Sequence, residues 1–413
     1  MPPTPQATPV TLDERILFID VLRGLALFGI LAANMRAFVA PLDAYMNINA
    51  LFPGRADVIA QGVINVFFQG KFISIFSFLF GLGFAMQMSR AEARGARFLR
   101  FYPRRLAALA VFGIIHGALI WAGDILLTYA LAGAILLLFR NRRQKTLLYW
   151  AASLLCLPVL AGTALFIAYH TSLHRKWMDP KPLDLTKWHH ITAIYAHGSL
   201  RQIAWQNWIE WKTDLPVQAF AIYTAALFML GMWVWRAGIV QRLPELVPVL
   251  RKICVWCVAI GLALSLYTTI VLIVTPPLIV SIWRWFAGIL WLPGSHILAA
   301  GYMAGLAVLF QHPVWRARLT PFAAIGRMAL TNYLLQSLLC TVFFEATGLY
   351  GKIGPAAAII PTILLYAAQL PFSLWWLRRY RYGPMEYLWR ILTYGKMPAL
   401  RRRDAARPDA TPA

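Results

Sequence analysis

Residues Ile16 to Val39, ILFIDVLRGLALFGILAANMRAFV, decide the fold. The run is apolar over about the 20 residues that an α-helix needs to cross a bilayer, and far exceeds the roughly 10 of a tilted membrane strand. Further runs of the same kind follow at Phe72 to Met88, Leu106 to Trp121, Ile125 to Phe139 and Leu147 to Tyr169. A second set comprises Val217 to Val240, Ile253 to Val274, Ile297 to Gln311, Phe322 to Phe344 and Ala356 to Leu377. Hydrocarbon cannot satisfy backbone N–H and C=O groups, so such runs must close their hydrogen bonds internally. The expected fold is therefore all-α, a polytopic membrane helix bundle of about ten transmembrane helices. With 60% hydrophobic and 13% charged residues in 413, an ordinary soluble surface is excluded.

The net charge of +23 would suit a nucleic-acid binder if the basic residues formed a stripe. They fall between helices instead. With the N-terminus inside, Arg90, Arg94, Arg97, Arg100, Arg104 and Arg105 lie on the cytoplasmic face, as do Arg140, Arg142, Arg143 and Lys145. Arg236, Arg242, Arg251, Lys252, Arg316, Arg318, Arg327 and the Arg-rich tail from Arg378 onward follow the same side. The positive-inside rule thus places both termini in the cytoplasm and accounts for the charge without nucleic acid. The bilayer is the expected partner, the bacterial inner (plasma) membrane the expected location, and a homo-oligomer is compatible with the sequence.

Five segments follow: a disordered lead over 1–14, a five-helix bundle over 15–169, an external amphipathic segment over 170–215, a second five-helix bundle over 216–400, and a disordered tail over 401–413. The lead, MPPTPQATPV, lacks a basic n-region joined to a short apolar core, so the first helix is its own insertion signal. Trp205, Trp208 and Trp211 recur at helical spacing and predict a helix lying in the outer interface with its indoles at headgroup depth. His170, His174, His189, His190 and His197 share that segment, but no HxxxH frame with a supporting carboxylate points to a metal site. Cys254 and Cys257 have zinc or redox spacing without a second ligand pair, and read as small packing residues. Between Pro41 and Gly70, the piece Val58 to Phe68 reads as a re-entrant or interfacial helix.

Ionisable groups within spanning helices are costly and mark sites by default, with structural ion pairs as the competing explanation. Asp20 and Arg23 are neighbours on one helix face; they are candidates for substrate binding or an internal pair that anchors the helix start. Asn34 follows Arg23 by eleven residues, which returns to nearly the same face about 16 Å further out. His116 lies near the outer end of the third helix, and Gly123 and Asp124 form a tight turn into the fourth. A His beside a carboxylate is a ready general base, so His116, Asn34 and Asp124 are the catalytic candidates. Lys71 begins the second helix and His296 stands in the first turn of the eighth; both could join Asn34, His116 and Asp124 in an outward vestibule. In GRMALTNYLLQS, Asn332 and Gln336 either glue helices together or line a substrate path. No Walker loop, HExxH or GxSxG element is present.

The stretches RILFIDVLRGLALFGILAANM, GKFISIFSFLFGLGFAMQMSR, GIIHGALIWAGDILLTYALAG and GRMALTNYLLQSLL, with the tail RYGPMEYLWR, resemble the YeiB-like bacterial membrane proteins. The resemblance spans Arg15 to about Arg390 and implies fold and location; the C-terminal half of that family is a domain of unknown function. The D-x-x-R-G opening, here Asp20, Arg23 and Gly24, is also similar to that of transmembrane acyltransferases, including the heparan glucosaminide acetyltransferase. Those enzymes deliver an acyl group from cytosolic acyl-CoA to an acceptor across the membrane. The resemblance implies acyl-CoA as co-substrate, an extracytoplasmic acceptor and no bound cofactor. The bacterial carbohydrate acyltransferases carry a His eleven residues after the motif Arg, where this chain has Asn34; the heparan enzyme has Asn there and a catalytic His in the next external stretch. No His lies between Pro41 and Gly70, so His116 must replace that base or the activity is absent. A transporter or exporter of a small solute or lipid, using the same intramembrane groups, is the alternative, and a membrane protein without catalytic activity is a third.

Overall fold

The computed structural model describes residues 16–171, 183–275 and 281–401. The lead over 1–14, His174, Trp177 and the tail beyond Arg401 lie outside the described residues. The helices are α1 (Leu17–Val39), α2 (Arg55–Phe67), α3 (Lys71–Ala93), α4 (Phe98–Leu119), α5 (Leu126–Leu138), α6 (Gln144–Thr171), α7 (Leu185–His197) and α8 (Leu200–Asp214). They continue with α9 (Ala221–Arg236), α10 (Val247–Val274), α11 (Ile282–Phe310), α12 (Pro313–Leu319), α13 (Phe322–Arg327), α14 (Ala329–Ala346), α15 (Pro355–Arg379) and α16 (Pro384–Tyr394). Among the described residues there is no β-strand, only an isolated bridge between Tyr380 and Arg401.

Every apolar run read from the sequence is helical. Among the described residues six stretches are long and apolar enough to cross a membrane: α1, the α2–α3 stretch, α6, α10, α11 and α15; α5 and α9 are shorter apolar helices. The other two positions are taken by α4, which opens on arginines, and α14, which is rich in polar residues. Several boundaries differ from expectation, among them the start of α4 at Phe98 rather than Leu106 and that of α10 at Val247 rather than Ile253, and two of the differences bear on the site. Helix α11 starts at Ile282 rather than Ile297, because Ser281 caps it by accepting from Arg284 N, 3.2 Å away, and Pro293 is absorbed within the helix. His296 is consequently in mid-helix, not in a first turn. The ninth run is broken at Met328 into α13 and α14.

Helix α1 is the central element, buried along most of its length between α3, α13, α14 and α15. Lipid tails are as apolar as leucine, so such helices associate through close packing of small residues rather than a hydrophobic gain between helices. Gly24 and Gly326 allow that approach: a Cβ on Gly24 would overlap the Phe322 carbonyl, and one on Gly326 the Asp20 carbonyl. Gly81 and Gly231 do the same where α3 meets α9. The N-terminal and C-terminal helices therefore interleave. Around this centre, α10 and α11 form a peripheral antiparallel pair, and α6, α10 and α15 turn Leu160, Leu165, Val255, Trp256, Ile360 and Leu364 outward.

The described part of the 170–215 segment includes α7 and α8, which pack on α14 and α4. A capping box at Ser199 and Gln202 starts α8. Its three tryptophans do not share one environment, as the expectation had it. Trp205 is 63% exposed, whereas Trp211 is buried over Gly117, where a Cβ would overlap its indole.

Candidate functional site

One cavity of about 290 Å³ follows α1 from Asp20 to Asn34 and is closed by α3, α4, α5, α14 and α16. Fourteen residues of helix rise correspond to about 21 Å, so the cavity reaches through most of the bundle's thickness. Its two ends differ in chemistry. At the Asp20 end, Arg23, Arg90, Arg105, Arg327 and Arg390 meet two carboxylates, Asp20 and Glu386. Arg23 Nη1 donates to Asp20 Oδ1 at 3.0 Å across one helical turn. Arg105 lies over the Trp389 ring, 3.4 Å from its centroid, and Arg390 over Tyr382 at 4.4 Å. The middle of the cavity is apolar, with Leu27, Phe80 and Leu109, and Asn34 and Gly123 lie at the far end.

Glu386 explains the broken ninth helix. Its Oε1 accepts from Leu330 N at 2.7 Å and Thr331 N at 3.1 Å, and its Oε2 accepts from the Thr331 hydroxyl at 2.6 Å. A carboxylate thus satisfies the donors at the start of α14 and meets the positive end of its dipole. Burial raises the Glu386 carboxyl above its ordinary range, and these hydrogen bonds oppose that shift.

His116 and Asp124 meet as the tight turn between α4 and α5 allows. The imidazole Nδ1 is 2.9 Å from Asp124 Oδ1, both side chains are at most 1% exposed, and Asp124 Oδ2 accepts from Leu127 N at 2.9 Å. The carboxylate therefore fixes the ring while capping α5. His116 Nε2 has no hydrogen-bond partner among the described residues. His116 does not line the cavity; the ring of Tyr333, which does, stands 5.3 Å away.

The remaining candidates lie elsewhere, so the single outward vestibule is not formed. Lys71 is 1% exposed and donates to Asn65 O at 2.7 Å, turned toward α2. His296 bridges α3 and α9: its Nδ1 is 2.7 Å from Ser74 Oγ, and its Nε2 pairs with the Tyr223 hydroxyl. Asn332 reaches Ser373 Oγ at 3.0 Å, and Gln336 donates to Gln369 Oε1 at 2.8 Å; both join α14 to α15 away from the cavity. Among the described residues no group of three His, Cys, Asp or Glu side chains could hold a metal ion. The sequence reading overlooked Glu386, Tyr333 and Arg36. Only Arg36 carried a signal in sequence, as a second ionisable residue just past Asn34 in the first helix.

The model for a "Protein of unknown function (DUF418)" matches residues 234–396, covering α10 to α16. Uncharacterized protein YxaH of Bacillus subtilis is 36% identical over 94% of this chain and 96% of its own length. Uncharacterized protein YeiB of Escherichia coli is 32% identical over 92% of this chain and 96% of its own. The chain belongs to the YeiB-like DUF418 family. An uncharacterized 39.9 kDa protein of Bacillus acidopullulyticus is 28% identical over 96% of this DUF418 chain. No solved structure matches it. Near-complete coverage places the cavity of this DUF418 protein within the sequence shared with its relatives, and its apolar helices make it a multi-pass membrane protein.

Proposed function

We propose that this DUF418 protein is a transmembrane acyltransferase that moves an acyl group from cytosolic acyl-CoA to an acceptor at the external face of the bacterial inner membrane. One observation supports it above the rest: a single cavity joins five guanidinium groups at one end to Asn34 at the other. Guanidinium forks suit the phosphates of CoA, and the apolar middle suits a pantetheine arm or acyl chain. At the far end the acceptor N–H or O–H gives its proton, through one bridging water, to His116 Nε2, which stands behind Tyr333 off the cavity wall, with Asp124 stabilising the imidazolium. The acceptor attacks the thioester carbonyl, the Asn34 amide donates to the oxyanion, and collapse expels the CoA thiolate, which takes the proton back from His116. Tyr333 and Gly123 frame the acceptor's approach to the dyad.

Calorimetric titration of detergent-purified protein with acetyl-CoA and longer acyl-CoAs tests this. Saturable binding in the wild type, lost in Arg23→Ala, is the expected result. No binding of any acyl-CoA would overturn the proposal. A second reading, transport of a small solute, draws on the buried Ser74–His296–Tyr223 chain, a protonatable line off the cavity. It predicts proton-coupled flux in liposomes without an acyl donor, abolished by His296→Ala.

A further inference from the structure

A second cavity, of about 40 Å³, lies at the opposite end of α1 from Asp20, enclosed by α1, the 41–54 loop, α2, α10 and Trp291 of α11. That volume holds about three waters or one small oxyanion. Its wall contains Arg36, which is 1% exposed. The Arg36 Nη1 donates to Asn65 Oδ1 at 2.9 Å, and the guanidinium plane lies over the Tyr45 ring, 3.7 Å from its centroid. Stacking occupies a face of the guanidinium and leaves its edge open. On that edge, Nε and Nη2 are buried without any hydrogen-bond partner among the described residues.

An arginine cannot shed its proton in a protein, so this charge must be answered by an anion or remain a costly buried monopole. Among the described residues no carboxylate lines the cavity. Nε–H and Nη2–H point in parallel along one edge of the guanidinium, the fork that accepts two oxygens of a carboxylate or phosphate. Two further wall atoms, Gln61 Oε1 and Asn49 Oδ1, are buried acceptors without partners among the described residues. Gln61 Nε2 donates to Asn65 Oδ1 at 3.0 Å, which orients the Gln61 amide oxygen away from that bond. The wall thus offers a two-donor fork beside acceptors that call for a hydroxyl.

We infer that the Arg36 cavity is an oxyanion site for a phosphate that carries or adjoins a hydroxyl, supplied either as free hydrogen phosphate or as the phosphoglycerol headgroup of a lipid. Arg36 provides the bidentate contact, Tyr45 and Asn65 hold its plane, and Gln61 and Asn49 receive the hydroxyl. This site is separate from the large cavity and stands whether or not acyl-CoA binds there.

The test uses delipidated full-length protein in detergent, titrated with inorganic phosphate while its thermal unfolding is followed, with potassium chloride at equal ionic strength as control. Saturable stabilisation by phosphate and not by chloride is expected. Arg36→Lys keeps the charge but lacks the fork, so it weakens the apparent Kd about tenfold or more. Asn49→Leu obstructs the cavity with Arg36 intact and weakens it likewise, which decides the matter if Arg36→Lys does not fold. Native mass spectrometry before delipidation distinguishes the sources. A phosphoglycerol lipid retained by the wild type and absent from the variants assigns the site to lipid, and phosphate stabilisation without retained lipid assigns it to the free ion. If neither phosphate nor lipid distinguishes the wild type from the two variants, the site does not exist.

Discussion

His116 meets the requirement for a general base in its oriented Nδ1 and partnerless Nε2. His116→Gln fills a similar volume without a basic nitrogen, so the variant should still bind acyl-CoA in calorimetry while its transfer rate falls by about 10²–10⁴. An unchanged transfer rate would remove His116 from the reaction. The contact with Asp124 was legible in the sequence because only a short turn separates two helices whose ends must then adjoin. The pairing of Asp20 with Arg23 was legible for a simpler reason, that residues three apart share a helix face. The scatter of Lys71 and His296 was not. A position along the chain does not say which neighbour a helix face meets, and His296 moreover stands in mid-helix rather than in a first turn. Lys71 is claimed by Asn65 of α2, and His296 by Ser74 and Tyr223.

At the level of elements, α8 shows how far spacing can be read. Positions 205, 208 and 211 do form one helix, but six residues turn about 120° away from register, so Trp205 and Trp211 cannot both face outward. Next to the inward face lies the half-buried Glu210, whose Oε1 accepts from Gln206 Nε2 at 3.3 Å. Burial pushes its carboxyl up from the ordinary value to about 7. The folded segment therefore holds a proton that the unfolded chain releases near pH 4.5. Its stabilisation is complete below that pH and is lost as pH rises through about 7. Hydrogen exchange should show α8 amides best protected near pH 4.5 and progressively less so up to pH 7.5, after correction for intrinsic exchange. Glu210→Gln should flatten that dependence, and a wild type with no slope would contradict it.

Across the whole molecule, arginines from α1, α3, α4, α13 and α16 gather at one end of a single cavity although they are scattered along the chain. The positive-inside rule assigns that end to the cytoplasm. A reporter enzyme active only outside the inner membrane should be silent when fused after Arg401 and active when fused after Asp184; the reverse pattern would invert the topology. Helix positions were legible because length and apolarity are local properties. The break at Met328 was not, because its cause is Glu386, 55 residues beyond Thr331. That separation also sets a clock. A ribosome adding about 5–20 residues per second makes the cap of α14 roughly 3–11 s after the residues it caps. During that interval the start of α14 has exposed donors and no carboxylate, so the bundle cannot complete its central wall until synthesis has almost ended.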